Sequence, residues 1–527
     1  MMKFKGLFLV ILLSCCPGLH AGLVHYTLNI IDPQNHIAEV LMELPANDSA
    51  EWILAIPAWA PGRYVIYNFS KNIFDVQARD EENHPVPVEL LDKQTWRVHG
   101  SPSGKVRFQY KVYANTLDGT FSRISQQGAS INGAAIFMYL KEHKDWPVKL
   151  SVQMPRQWQV VCPLDQDEKG DFLAENYDIL IDSPLEMGTL AVYDFEHLGK
   201  PHQLVFQSLV NPALLKTFIR DLKKVITQQA AIFGGDLPYQ RYVFFFHLDP
   251  NLEYTDGMEH LNSCRVLLRI DINQIESNAN TNDDYDNLIW LSAHEFFHTW
   301  NGKRLRPAGL GPFDYEREIY SDCLWIVEGF TSYFAYLSLL RSGIYTKQKL
   351  YSEFAGRISR YENSPAKSQR SLREVCLLTW LFKGRIPSFE RTIINQTTYS
   401  YYYKGLIVGM LLDLKLRQQT DQQVNLDSVM HEMYKRFYLT DRDSYYLPGE
   451  GYRLNDFKDL IKQLSSGDWD EFFSRSVYRV ESLDYHLLQT AGLELIRDAS
   501  DSHFMIKEME NPNPQQLLIR KSWLGQQ

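Results

Sequence analysis

Two patterns of apolar residues divide the chain. From about Leu23 to Val192, apolar and polar positions alternate over short runs. Examples are His25-Tyr26-Thr27-Leu28-Asn29-Ile30 and Val106-Arg107-Phe108-Gln109-Tyr110-Lys111-Val112. A period of two with β-branched and aromatic residues predicts half-buried strands, punctuated by turns at Asp32-Pro33 and Pro61-Gly62. Beyond Pro212 the period changes. Leu214, Phe218, Leu222 and Val225 recur at helical spacing, as do Leu288, Ile289 and Leu291, with a strand-like run Tyr242-Val243-Phe244-Phe245-Phe246 between them. After Gly405 the pattern is helical, carried by Leu406, Val408, Leu411 and Leu412, then by Leu426, Val429, Met430 and Met433, then by Phe457, Leu460, Ile461 and Leu464. This order predicts a multidomain α+β protein, with a β-rich domain over 22–195, a mixed domain over 196–395, a helical domain over 396–480 and a tail over 481–527. A length of 527 residues requires such a division, because single cores stop growing near roughly 250–300 residues.

Charge narrows the choice of partners. The net charge is -10 and no dense Lys/Arg run offsets it, so nucleic acid is excluded as a partner. At the N-terminus, Lys3 and Lys5 precede an apolar run from Gly6 to Ser14, which Cys15, Cys16 and Pro17 break. That layout predicts a secretory signal over 1–21, cleaved after Ala21, and export to the periplasm or the medium. Leu12-Leu13-Ser14-Cys15 also fits a lipoprotein signal, in which case a lipid on Cys15 is the protein's membrane contact. No other stretch is long and apolar enough to span a bilayer. Export leaves Cys162, Cys264, Cys323 and Cys376, enough for two disulfides in any of three connectivities.

The chemistry begins at His294-Glu295-Phe296-Phe297-His298. On a helix, residues four apart share one face, so both imidazoles can reach one ion. Glu295 projects about 100° round the axis, toward a water beside the metal and away from the ligand positions. Neutral imidazoles suit Zn²⁺, which acidifies bound water and polarises carbonyls. Further on, Glu328 sits in the apolar run Trp325-Ile326-Val327-Glu328-Gly329-Phe330. An unpaired carboxylate there is costly to bury. A single zinc ion removes that cost and completes a His₂Glu site with its fourth position open.

HEFFH followed by TWNGKRLRP, and then LWIVEGFTSYF, resembles the glycyl aminopeptidase family of the gluzincin clan, a relative of the alanyl-aminopeptidase type. The likeness runs from the β-rich N-terminus to about residue 480. It implies a thermolysin-like catalytic domain, zinc on His294, His298 and Glu328, and Glu295 as general base. Ser400-Tyr401-Tyr402-Tyr403-Lys404-Gly405 resembles the segment whose tyrosine, here Tyr402, hydrogen-bonds the tetrahedral oxyanion; three adjacent tyrosines leave Tyr401 and Tyr403 open as well. Asp256-Gly257-Met258-Glu259-His260 resembles the substrate-binding strand, with Glu259 pairing the free α-amine and Gly257 and Met258 beside it. The family pattern begins with two glycines. Asp256 replaces the first, and its carboxylate either strengthens amine capture or crowds the subsite. After the motif, Trp300, Asn301, Lys303, Arg304 and Arg306 resemble the family closely without readable chemistry; Arg304 and Arg306 read as loop ties, with a substrate carboxylate as the other reading, and His260 reads as structural.

Family members commonly end in a PDZ-like domain. Its opening is legible in Leu483-Asp484-Tyr485 and Ala491-Gly492-Leu493-Glu494-Leu495, but 481–527 is short for the complete module, so a truncated tail is expected. The resemblance implies an exported zinc aminopeptidase acting on peptides with N-terminal glycine or alanine. An endopeptidase or dipeptidase on the same site, and an inactive peptide-binding scaffold, are the alternatives.

Overall fold

Alternation in the first third of the chain becomes three sheets. The computed structural model describes residues 22–46, 51–100, 104–383, 391–441, 444–498 and 502–526. The signal expected over 1–21, with Cys15, lies outside them. Val24–Asp32 runs at the centre of an eight-stranded sheet, antiparallel to Ile37–Leu44 and parallel to Val148–Gln153. Tyr26, Leu28 and Ile30 face the core while His25, Thr27 and Asn29 are half-buried, as a period of two requires. Two four-stranded sheets complete this β-rich domain.

A fourth, five-stranded sheet follows in the order Ala191–His197, Lys200–Phe206, Tyr242–Leu248, Ser263–Leu268, Asp256–Glu259. Its three middle strands are parallel, and the crossover helix Pro212–Ile232 joins the first two of them, Lys200–Phe206 and Tyr242–Leu248. Val243 to Phe246 are all buried, the continuous apolar run of a strand covered on both faces. The expected 195/196 boundary falls inside Ala191–His197, because that strand's hairpin with Lys200–Phe206 joins it to the five-stranded sheet. The edge strand Asp256–Glu259 pairs antiparallel with Ser263–Leu268, leaving its other side free toward the catalytic cavity.

Helices pack over this sheet. The motif helix is Asp283–Phe297; a π-helical turn, Trp325–Phe330, runs into the helix Thr331–Arg341; the tyrosine helix is Tyr401–Gln419. The final segment forms a 3-10 helix Tyr485–Ala491, a hairpin of Leu493–Arg497 with Phe504–Glu508, and a helix Pro514–Trp523. This segment packs on Lys347–Glu362 and the tyrosine helix. Buried Trp523 donates its indole N–H to the Tyr333 hydroxyl at 2.7 Å, on the helix that follows Glu328. The tail thereby shares the core of the catalytic region. Cys162, Cys264, Cys323 and Cys376 are buried and free, so neither of the two disulfides allowed by their number is present. Among the described residues, no helix is long and apolar enough to cross a membrane.

Candidate active site

The motif helix is anchored at its start, where the Asn282 side chain accepts from the Tyr285 N–H at 2.8 Å and Asp283, Asp284 and Asp286 meet the positive end of the dipole. At its other end, His294 and His298 turn their Nε2 atoms toward one point, 3.3 Å apart. Glu328 Oε2 lies 3.5 Å from His294 Nε2 and 3.3 Å from His298 Nε2. A tetrahedral ion with bonds of roughly 2.0–2.1 Å has ligand–ligand edges of about 3.4 Å. The three side chains fit zinc on that measure. His298 Nδ1 donates to the Asn301 carbonyl at 2.8 Å, which orients the ring with Nε2 toward Glu328, and His294 Nδ1 meets Ser332 Oγ at 3.3 Å.

Glu328 is held on its π-helical turn by Asn301. The Asn301 amide donates to the Ile326 and Val327 carbonyls at 3.0 Å each and to Thr331 Oγ1 at 3.0 Å. The Val327 carbonyl also accepts from Thr331 Oγ1 at 2.6 Å, so the turn is braced from two sides. The electrostatics bind the trio further. Burial opposes the Glu328 charge, yet His298 and His294 hold its carboxyl well below the usual range. Burial likewise disfavours a charged His298, but the Glu328 carboxylate raises it to about 10.

Glu295 faces the cavity from the motif helix. Burial, reinforced by Glu259 and Glu328, raises its pKa well above the carboxylate range against the pull of His298. The edge strand touches it: a Cβ on Gly257 would stand 1.9 Å from Glu295 Oε1, so only glycine admits this approach. Glu259, Glu295 and His298 also offer atoms within 4.8 Å of one another. Met258 is buried beside Gly62 and does not line the cavity.

Consecutive helical residues point about 100° apart, so only one of three neighbouring tyrosines can face the cavity. It is Tyr402, whose ring lies 6.3 Å from that of His294. Tyr401 is buried with its hydroxyl 3.4 Å from Thr379 Oγ1, and Tyr403 accepts from Arg360 Nη1 at 3.2 Å.

Sequence reasoning missed two cavity-lining cations. Arg63, which follows the turn at Pro61-Gly62, reaches over from the β-rich domain, and its Nη2 donates to Asp256 Oδ2 and to the Gly257 carbonyl. The Gly119 N–H donates to the same Asp256 oxygen at 2.9 Å. The carboxylate that departs from the family pattern is therefore engaged across the domain boundary. Lys383 is the second cation. Asn301 gave a signal in the TWNGK stretch, but its partners are far away in sequence. Arg304 donates to the Leu261 and Thr299 carbonyls at 2.8 and 2.9 Å, and Arg306 to those of Gly449 and Pro448 at 2.7 and 3.2 Å. Lys303 Nζ and His260 Nδ1 meet Asp182 at 2.6 and 3.2 Å. These four line no part of the cavity.

Fold and cavity together define a metallopeptidase. Residues 25–189 match the Peptidase M61 N-terminal domain, and 287–408 match the M61 glycyl aminopeptidase domain. The chain belongs to the M61 glycyl aminopeptidase family. Among solved structures, an aminopeptidase N family protein from Idiomarina loihiensis is 28% identical, with a TM-score of 0.81 over 90% of this chain and 79% of that one. An M1 zinc metallopeptidase from Deinococcus radiodurans shares the fold, at 14% identity and a TM-score of 0.52 over 89% of this chain and 96% of that one. No curated protein matches the chain.

Proposed function

We propose that the protein is an exported zinc aminopeptidase that removes small first residues, glycine or alanine, from peptides. The observation that carries this reading is the convergence of Glu259, Glu295 and the His294–His298–Glu328 trio on one cavity of about 230 Å³. His294, His298 and Glu328 would hold one zinc ion, which when bound supplies Lewis acidity to water and to the scissile carbonyl. Glu295 takes a proton from the attacking water and passes it to the leaving amine, a role its place on the cavity wall beside the trio supports. Tyr402 donates its O–H to the oxyanion. Glu259 pairs with the substrate's α-ammonium. An internal peptide bond brings no cation to pair with Glu259, which favours a free N-terminus.

Crowding at the amine end supports the small-residue preference. A Cβ on Gly62 would stand 2.7 Å from Met258 Cε and 2.8 Å from Glu259 Oε1, and the Arg63 side chain fills the space beside Asp256. On this reading the β-rich domain limits the room for a large first side chain. Export rests on the charged and apolar layout of 1–21. Chromophore release from glycyl, alanyl, leucyl and N-acetylglycyl anilides, with and without chelator, tests the reading. Chelator-sensitive release from the free glycyl and alanyl substrates is expected. Equal release from N-acetylglycyl anilide overturns the aminopeptidase assignment and leaves an endopeptidase.

A further inference from the structure

We infer that Lys383 is a positioning residue for Tyr402, holding the phenol so that its hydroxyl proton points into the cavity. This deepens the aminopeptidase reading and rests on Tyr402 as its oxyanion donor.

Lys383 follows the short helix Thr379–Phe382, where its N–H bonds the Thr379 carbonyl at 3.0 Å and directs the side chain into the cavity. Its Nζ lies 3.0 Å from the Tyr402 hydroxyl, 4.3 Å from that ring's centroid and 5.5 Å from the centroid of Tyr401. Among the described residues, no carboxylate stands within ion-pair distance of Nζ, although Asp256, Glu259, Glu295 and Glu328 all line the same cavity. The cation is spent on a phenol.

The donor inventory gives the consequence. An ammonium has three N–H donors and no lone pair, so in this contact the Tyr402 oxygen must accept. The phenol's one O–H is then free to point only elsewhere, and the open direction is the cavity that His294 and Glu328 line. A cation donating to that oxygen also polarises the O–H and strengthens its own donation. Cation–π attraction to the two rings keeps the ammonium in place without a carboxylate. A helical tyrosine without this contact could turn its proton back toward its neighbours.

The test measures kcat and KM on glycyl anilide, which carries no carboxylate, for wild type, K383M, K383R, Y402F and K383M/Y402F. Zinc content and melting temperature are measured alongside. The expected result is a fall in kcat of roughly tenfold for K383M with KM within about twofold. K383R should recover most of the loss, and K383M should add nothing in the Y402F background. K383Q replaces K383M if the latter loses zinc or melts early. Equal losses with and without the Tyr402 hydroxyl would overturn the inference. So would an unchanged kcat on the anilide with KM raised only for free dipeptides, which would make Lys383 an anchor for a substrate carboxylate. A Y402F variant with unchanged kcat overturns the Tyr402 assignment and this inference together, whereas a deleterious Y402F beside a silent K383M overturns this inference alone.

Discussion

Gly405 lies against Gly329 backbone to backbone: a Cβ on Gly329 would stand 2.4 Å from the Gly405 carbonyl carbon, and one on Gly405 would stand 2.5 Å from the Trp325 carbonyl oxygen. This contact brings Tyr402, three residues before Gly405, to the turn that carries Glu328. Backbone cannot yield as a side-chain tip does, so Gly405→Ala must push the two helices apart. The expected cost is about 1–3 kcal/mol, read as an earlier thermal transition, together with a lower kcat as Tyr402 recedes. An unchanged melting temperature and rate would show that the helices relax freely.

Glu295→Gln keeps the shape of the side chain but removes its ability to accept a proton. The kcat should fall by roughly 10²–10⁴ while bound zinc, measured by elemental analysis, stays at one per chain. Loss of the metal along with the activity would place Glu295 among the ligands.

Arg63 and Asp256 act as a pair across the domain boundary, so they are best removed together. Removing Arg63 alone would leave a half-buried carboxylate without its partner. In R63A/D256G the amine end of the cavity opens, and the rate on leucyl anilide relative to glycyl anilide should rise roughly tenfold, the scale at which pocket volume discriminates. An unchanged ratio would locate the specificity elsewhere.

Acid should loosen the domain boundary at Asp182. Burial raises its pKa, but Lys303 and His260 outweigh burial and hold it below the ordinary value. A carboxyl with a lower pKa folded than unfolded adds stability above the unfolded value, about 3.9, and that stability is lost as pH falls through the folded value. Thermal melts of wild type and D182N, followed from neutral pH to pH about 3, should therefore converge as the acid limit is approached. Parallel curves would show that Asp182 does not carry the acid sensitivity.

Much of the site was legible because its geometry is local. His294 and His298 need only one helical turn to meet, and Glu295 between them takes its direction from the same turn. Glu328 was legible for another reason: a carboxylate in an apolar run demands a partner, and a metal trio lacking one ligand stood nearby. The β-rich and helical halves were readable from the change of period at about Pro212. The 195/196 boundary was misplaced because Ala191–His197 alternates like the strands before it, and only its hairpin partner shows which sheet it joins.

What the sequence determined by itself was the fold class, set by the change of period, and the side chains that meet in the His294–His298–Glu328 trio with the proposed base Glu295 beside them, set by spacing along one or two helices. The tertiary structure alone decided which of three tyrosines faces the cavity, that Arg63 takes up Asp256, that Lys383 meets Tyr402, and that Asn301 braces the Glu328 turn. Those partners lie 19 to 193 residues apart in the chain. No periodicity encodes such distances; they follow from how sheet, helices and β-rich domain close around one another, with glycines at the contacts where backbone must touch backbone or carboxylate.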